Sequence, residues 1–119
     1  MLIEKSIPSN LMFALSSIQA FYFFDIDEIE SRINKNLNLN HLIVSRCNNT
    51  VTGYRRIKER YIDVPVMGND NSSDELGNYC EIGQTPNFYV YDIETQKEYK
   101  LNNYNISGFT SNLINNVNF

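Results

Sequence analysis

The strongest constraint on the fold of this chain is a change of hydrophobic period near Leu39. Upstream of it, Leu11, Leu15, Ile18 and Tyr22 recur at helical spacing, and Met12, Phe13 and Phe21 widen the stripe. Downstream, Leu42, Ile43 and Val44 open a series of short β-prone runs separated by turn residues. Helices followed by a meander of strands predict an α+β domain, with an antiparallel sheet and helices packed on one face.

The punctuation refines this reading. Leu2 to Ile7 reads as a short strand or an arm. Pro8 and Ser9 then start a helix that runs to Tyr22, with Ser9 as its cap. A second amphipathic helix spans roughly Asp25 to Asn36. Asp25 and Glu28 have capping-box spacing, and Ile26, Ile29 and Ile33 share a stripe. Asn48-Asn49 is a turn. Val51 to Val66 is a long strand or a pair, ended by Pro65 because proline cannot donate to a ladder. Met67 to Asn78 is a long polar loop, and Tyr79 to Ile82 a short strand. Phe88 to Tyr91 and Glu98 to Leu101 form a hairpin. Ser107 caps a closing helix with Phe109, Leu113 and Val117 on one face.

The 119 residues make one domain, 1–119, long enough to bury a core without staples. Asparagine is abundant but interleaved with Leu and Ile, which fits compositional bias better than a low-complexity segment. Cys47 and Cys80 lie outside any metal or redox motif. They read as small buried hydrophobes in a reducing compartment, with a disulfide between them left open. The apolar run Leu11 to Leu15 is shorter than an export core, and Glu4 stands where a basic flank belongs. No stretch is long enough to span a membrane. These features place the chain in the cytoplasm, where the sequons at Asn48, Asn71 and Asn105 have no role.

Chemistry is sparse, and the basic residues are unevenly spread. Of ten lysines and arginines, four lie in one tract, Arg55, Arg56, Lys58 and Arg60, flanked by Tyr54 and Tyr61. Read as a strand, it puts Tyr54, Arg56, Lys58 and Arg60 on one face. With a net charge of −4, the chain as a whole disfavours nucleic acid, whose affinity comes mainly from neutralised phosphates. A protein-binding strip fits better, since arginine and tyrosine are common interface anchors.

Asp70, Asp74 and Glu75 crowd the long loop, but the glycine and final glutamate of a calcium loop are missing. His41 has no nucleophile motif beside it, and pairing with Cys47 would need the fold to bring a third, orienting group. The carboxylate pairs, including Asp92 and Glu94 in the hairpin turn, read as solvated faces. No catalytic residue, metal or cofactor is expected. The acids could act together, imitating phosphate spacing to occupy a basic cleft.

The segment Leu76-Gly77-Asn78-Tyr79-Cys80-Glu81-Ile82, then Phe88-Tyr89-Val90-Tyr91-Asp92, then Phe109 and Leu113, resembles the SUKH superfamily of immunity proteins that neutralise bacterial polymorphic toxins. The resemblance covers about half of the chain. The family's usual tryptophans and its amino-terminal Leu-Pro pattern are absent. It implies an α+β fold and a cognate toxin domain as partner. The expected function is therefore a toxin-neutralising immunity protein that blocks its partner, often a nuclease. A phage-encoded inhibitor of a defence nuclease is the alternative, and a small enzyme or nucleic-acid-binding regulator is the reading from another class. The partner surface is expected to comprise Tyr54, Arg56, Lys58, Arg60, Tyr61, Asp70, Asp74, Glu75, Asp92 and Glu94.

Overall fold

The computed structural model describes residues 2–119. It is mostly β. Seven strands form two sheets, and among the described residues there is one α-helix. The strands are β1 (Gln19–Asp25), β2 (His41–Cys47), β3 (Thr50–Arg56), β4 (Tyr61–Met67), β5 (Asn87–Asp92), β6 (Glu98–Lys100) and β7 (Ile114–Asn116), with α1 (Ile26–Ile33) between β1 and β2. One sheet has the order β4-β1-β7 and the other β3-β2-β5-β6. The expected α+β architecture, with helices at both ends of the chain, is therefore wrong.

The first expected helix fails because its stripe serves separate clusters. Tyr22 is fully buried between the sheets. Leu11 is equally buried but lies on the outer face of the four-stranded sheet, with Leu42, Val44, Tyr91 and Ile93. Leu15 is 80% exposed. Residues 2–18 are an extended arm apart from a single 3-10 turn at Ser9–Leu11. Ser9 makes no capping hydrogen bond with its side chain there; Pro8 O accepts from Leu11 N–H instead. From Gln19 the run of aromatic residues does what aromatic side chains do well on a pleated surface. Ala20, Tyr22 and Phe24 point inward while Phe21, Phe23 and Asp25 alternate outward.

The arm exists because the four-stranded sheet is apolar on both sides. In β2, Ile43, Ser45 and Cys47 face the other sheet, and Leu42 and Val44 face away from it. Arm residues Ile7 and Leu11 cover that second face, and Phe13 packs edge-on against Tyr54 at 5.2 Å between ring centroids. Polar groups pin the start of the arm. Lys5 N–H donates to Asn40 Oδ1 (2.8 Å), Asn40 Nδ2 to Ile3 O (2.8 Å) and Arg56 Nη2 to Lys5 O (2.6 Å).

The closing segment is not a helix either. Phe109 and Val117 are buried and Leu113 half-buried, but they reach the core from an extended chain. Ile114–Asn116 pairs in parallel with β1 as β7. Ser107, the expected cap, instead offers its carbonyl to the Tyr22 hydroxyl (2.9 Å) and its N–H to Asn115 Oδ1 (2.7 Å). Burial pushes the Tyr22 phenol up to about 12.

Other expectations match the structure. α1 carries Ile26 and Ile29 into the core, Asp25 caps it through Asp27 N–H, and Asn34 ends it in the left-handed conformation. Asn48 and Asn49, both at positive φ, make the β2–β3 hairpin turn. β5 and β6 form the expected hairpin. The stretch from Val51 to Val66 is a pair of strands, but each joins a different sheet. Pro65 does not end a strand. It lies inside β4 opposite Phe21. Bonds from Gly68 N–H to Ile18 O and from Ile26 N–H to Arg60 O set the hydrogen-bonded pairs, so Pro65 falls between them. Its missing N–H is on the free edge of β4, where proline is tolerated. No regular strand forms at Tyr79–Ile82, only an isolated bridge between Gly68 and Cys80.

The two sheets meet side by side where β3 lies along that free edge. A Cβ on Gly53 would stand 1.9 Å from Pro65 O, so glycine is required by proximity. Ser45 Oγ donates to the same carbonyl (3.1 Å), and Arg55 Nε to Asp63 O (2.8 Å), replacing the ladder that Pro65 interrupts.

Cys47 and Cys80 form a disulfide, resolving the alternative left open by the sequence and removing the free-thiol reading. It ties the end of β2 to the long β4–β5 connection across a separation of 33 residues.

Two outcomes are expected from urea unfolding. Leu11→Ala should cost roughly 2–5 kcal/mol, as for other buried leucines, whereas Leu15→Ala should stay within about 0.5 kcal/mol of wild type. Equal losses at both positions would restore the helix. Reduction of the disulfide should lower stability by about 3–4 kcal/mol, the loop-closure value for a connection of this length.

Candidate functional site

The expected partner-binding residues do not form one surface. The basic tract is broken by a turn, because β3 ends at Arg56 and β4 begins at Tyr61. Tyr54 and Arg56 are structural. Tyr54 is half-buried against Phe13, while Arg56 donates to Leu39 O (2.8 Å) and Lys5 O and pairs with Glu4 (3.5 Å). Lys58, Arg60 and Tyr61 remain exposed.

The loop acids also separate by role. Asp70 ties the loop to the arm. Its carboxylate accepts from Ser17 N–H (2.9 Å), Ser17 Oγ–H (2.7 Å) and Ser72 N–H (2.9 Å). Hydrogen bonds from Ser72, then from Ser17, hold this carboxyl well below the usual carboxylate range. Asp74 and Glu75 lie exposed on a 3-10 turn. In the hairpin turn Asp92 is buried, and Glu94 accepts from Asn40 Nδ2 (3.2 Å).

His41 and Asp92 form an enclosed pair at the end of β2 and β5. His41 Nδ1 contacts both Asn38 N (3.1 Å) and Asn38 Oδ1 (3.2 Å), while the other ring nitrogen, Nε2, faces Asp92. That atom is buried without a hydrogen-bond partner, 3.5 Å from Asp92 Oδ2. Burial works against ionisation of Asp92. N–H donors at Thr95 and Glu94 and the nearby His41 outweigh it, so its carboxyl titrates below the usual range. Cys47 is committed to the disulfide and has no thiol for His41 to activate. Among the described residues, no group of three or more His, Cys, Asp and Glu side chains could hold a metal ion.

The exposed part of the tract lies beside residues the sequence did not single out. β1 register puts Asp25 opposite Tyr61, and Phe23 opposite both Asp63 and Asn116; Phe21 faces Ile114. The outer face of the three-stranded sheet therefore presents Phe23 (37% exposed), Tyr61 (62%) and Ile114 (72%). At its edge the Arg60 guanidinium stacks over the Tyr61 ring at 4.8 Å and pairs with Asp25 (3.1 Å) and Asp27 (3.2 Å). The hydrogen bond from Arg60 lowers the Asp25 pKa. The sequence reading gave Phe23 no role. Ala20 to Phe24 is a continuous apolar, aromatic run, so the sequence there carries no alternation that marks Phe23 as outward-facing.

Comparison of the chain with protein-family models, curated proteins and solved structures returns no match. The α+β fold implied by the SUKH resemblance is not the fold observed. Among the described residues, no helix is long and apolar enough to cross a membrane.

Asp92 has a folded-state pKa below its unfolded value. Its contribution is thus present above the unfolded pKa and lost as the pH falls through the folded one. Urea unfolding at a series of pH values should show stability declining below about pH 4, where unfolded carboxylates protonate. Asp92→Asn should flatten part of that decline; an unchanged profile would remove Asp92 from the acid response.

Proposed function

We propose that this chain is a binding protein that covers a site on a protein partner, using the outer face of the three-stranded sheet. The observation that carries this reading is the exposed cluster Phe23, Tyr61 and Ile114 with Arg60 stacked at its edge. Large apolar groups gathered on one face are what interfaces use, and an aromatic ring with an arginine lid is a common anchor. Asp25, Asp27, Glu28 and Asp63 surround the cluster, against Arg55 and Arg60. This acidic rim fits a partner with a basic rim around an apolar centre.

A toxin domain that processes nucleic acid is the instance to test first, because such a domain must carry basic groups for phosphate. A phage inhibitor of a defence nuclease would present the same footprint, and the two differ in the genes beside them. The disulfide favours a compartment in which thiols oxidise, since structural disulfides are rare in the cytosol. This shifts the proposed setting of the interaction away from the cytoplasm. The enzyme reading lacks support: His41 is enclosed and Cys47 is cross-linked.

The DNA flanking the gene supplies the candidate partner, whose product can be purified and titrated calorimetrically. Phe23→Ala and Tyr61→Ala should each weaken binding about tenfold or more, the usual scale for an aromatic anchor. Arg56→Ala should lower the melting temperature instead, because it frees the arm. Wild-type affinity in the Phe23→Ala, Tyr61→Ala double variant would discard this face.

A further inference from the structure

A second concavity adjoins this face. A cleft of about 640 Å³ lies between the arm, α1, the link before β2 and the β3–β4 turn. Asp27 and Arg60 line it, while Asp25 and Tyr61 line the hollow beside Phe23. The Arg60 ion-pair network is therefore the wall between the two. The cleft contains Ile26, Leu37, Leu39 and Ile57, so its lining is aliphatic. Ile26 and Ile57 belong to the core and are fixed in place, whereas Leu37 and Leu39 are half-buried and reach solvent.

The rim has four acids, Glu4, Asp27, Glu30 and Glu59, against two bases, Lys58 and Arg60. Both bases already have acidic partners. Lys58 Nζ is 3.6 Å from Glu4, and Arg60 is held by Asp25 and Asp27. Glu30 and Glu59 have no cationic partner among the described residues. Glu30 Oε2 accepts from Leu37 N–H (2.7 Å), which fixes the carboxylate beside the leucine without neutralising it. The cleft thus joins an aliphatic lining to two uncompensated negative charges.

From this combination we infer that the cleft seats a cationic amphipathic segment of a protein partner. Its apolar side chains would lie on Leu37, Leu39 and Ile57, and its lysines or arginines would meet Glu30 and Glu59. Nucleic acid and anionic lipid headgroups are disfavoured by the same two carboxylates. The inference rests on the reading above, that the partner is a basic protein, and names the part of it that is gripped. A small segment of this kind adds an anchor next to the Phe23–Tyr61 face, and both would be engaged at once.

The test uses the full chain and a short amidated peptide of leucine and lysine at helical spacing, with a leucine–glutamate counterpart as control. Methyl-resolved NMR should show the cationic peptide shifting Ile26, Leu37, Leu39 and Ile57, and the anionic one shifting none. The Glu30→Gln, Glu59→Gln double variant should bind the cationic peptide about three- to tenfold more weakly, the scale of two exposed charge contacts. Its melting temperature should be unchanged, since glutamine at position 30 can still accept from Leu37 N–H. Phe23→Ala should leave peptide affinity intact. Absence of shifts, equal binding of the two peptides, or unaltered affinity in the glutamine variant would each overturn the cleft assignment. Shifts confined to Phe23, Tyr61 and Ile114 would overturn it while supporting the outer face. Cleft shifts alongside a Phe23→Ala, Tyr61→Ala variant that binds the full partner normally would discard the face and leave the cleft standing.

Discussion

β2 has no wet side, and much of the molecule follows from that. Ile43 and Cys47 need the β4-β1-β7 sheet against them, while Leu42 and Val44 need a cover of their own. Burying each such side chain is worth roughly 1.5–3 kcal/mol relative to leaving it exposed. A two-layer sandwich satisfies only one face of the strand. The arm satisfies the other with Ile7 and Leu11, and so behaves as a third layer made of extended chain. Extended chain makes no internal hydrogen bonds, so its backbone must borrow partners. Asn40, Arg56, Asp70 and Tyr79 provide them, at 2.6–2.9 Å.

This borrowing explains why two of the residues that looked available for a partner are not, and a third is taken elsewhere. Arg56 and Asp70 are occupied by the arm, and Asp92 by His41 and its own turn. Of those left exposed, Lys58, Arg60 and Tyr61 lie where the chain crosses between sheets. Pro65 keeps β3 and β4 from forming a continuous ladder, and Gly53 lets them touch. The connection between them has to turn sharply, and it carries Lys58, Arg60 and Tyr61 to one corner. The amino end of α1 arrives at the same corner because Asp25 ends β1 and caps the helix. The helix end favours acids and the crossover brings a cation, so the ion-pair network there satisfies both. The aromatic face and the aliphatic cleft lie on either side of that network.

Some of this was readable from neighbours in sequence alone. The helix from Asp25 was, because its cap, its acids and its isoleucine stripe are all local. So were the Asn48-Asn49 turn, where two residues must take positive φ, and the β5–β6 hairpin. The arm was not. Leu11, Leu15, Ile18 and Tyr22 have helical spacing, but Leu11 joins the outer cluster, Leu15 is exposed and Ile18 and Tyr22 join the main core, and spacing does not record which cluster a side chain joins. The closing segment misled in the same way, since Phe109, Leu113 and Val117 reach the core from extended chain. The exposure of Phe23 depended on strand register.

The sequence by itself determined an acidic chain with a strand-rich second half, a capped helix from Asp25 and a cluster of cations flanked by tyrosines. Those properties are set by composition and by contacts within a few residues. Tertiary structure alone decided that Cys47 meets Cys80, that residues 2–18 form an arm over a sheet, and that Arg60 and Tyr61 stand apart from Tyr54 and Arg56. Each of these depends on chain segments distant in sequence competing for the same apolar surface. The arm won the outer face of β2 because burying Leu11 there outweighs the few hydrogen bonds that a free amino-terminal helix could have made.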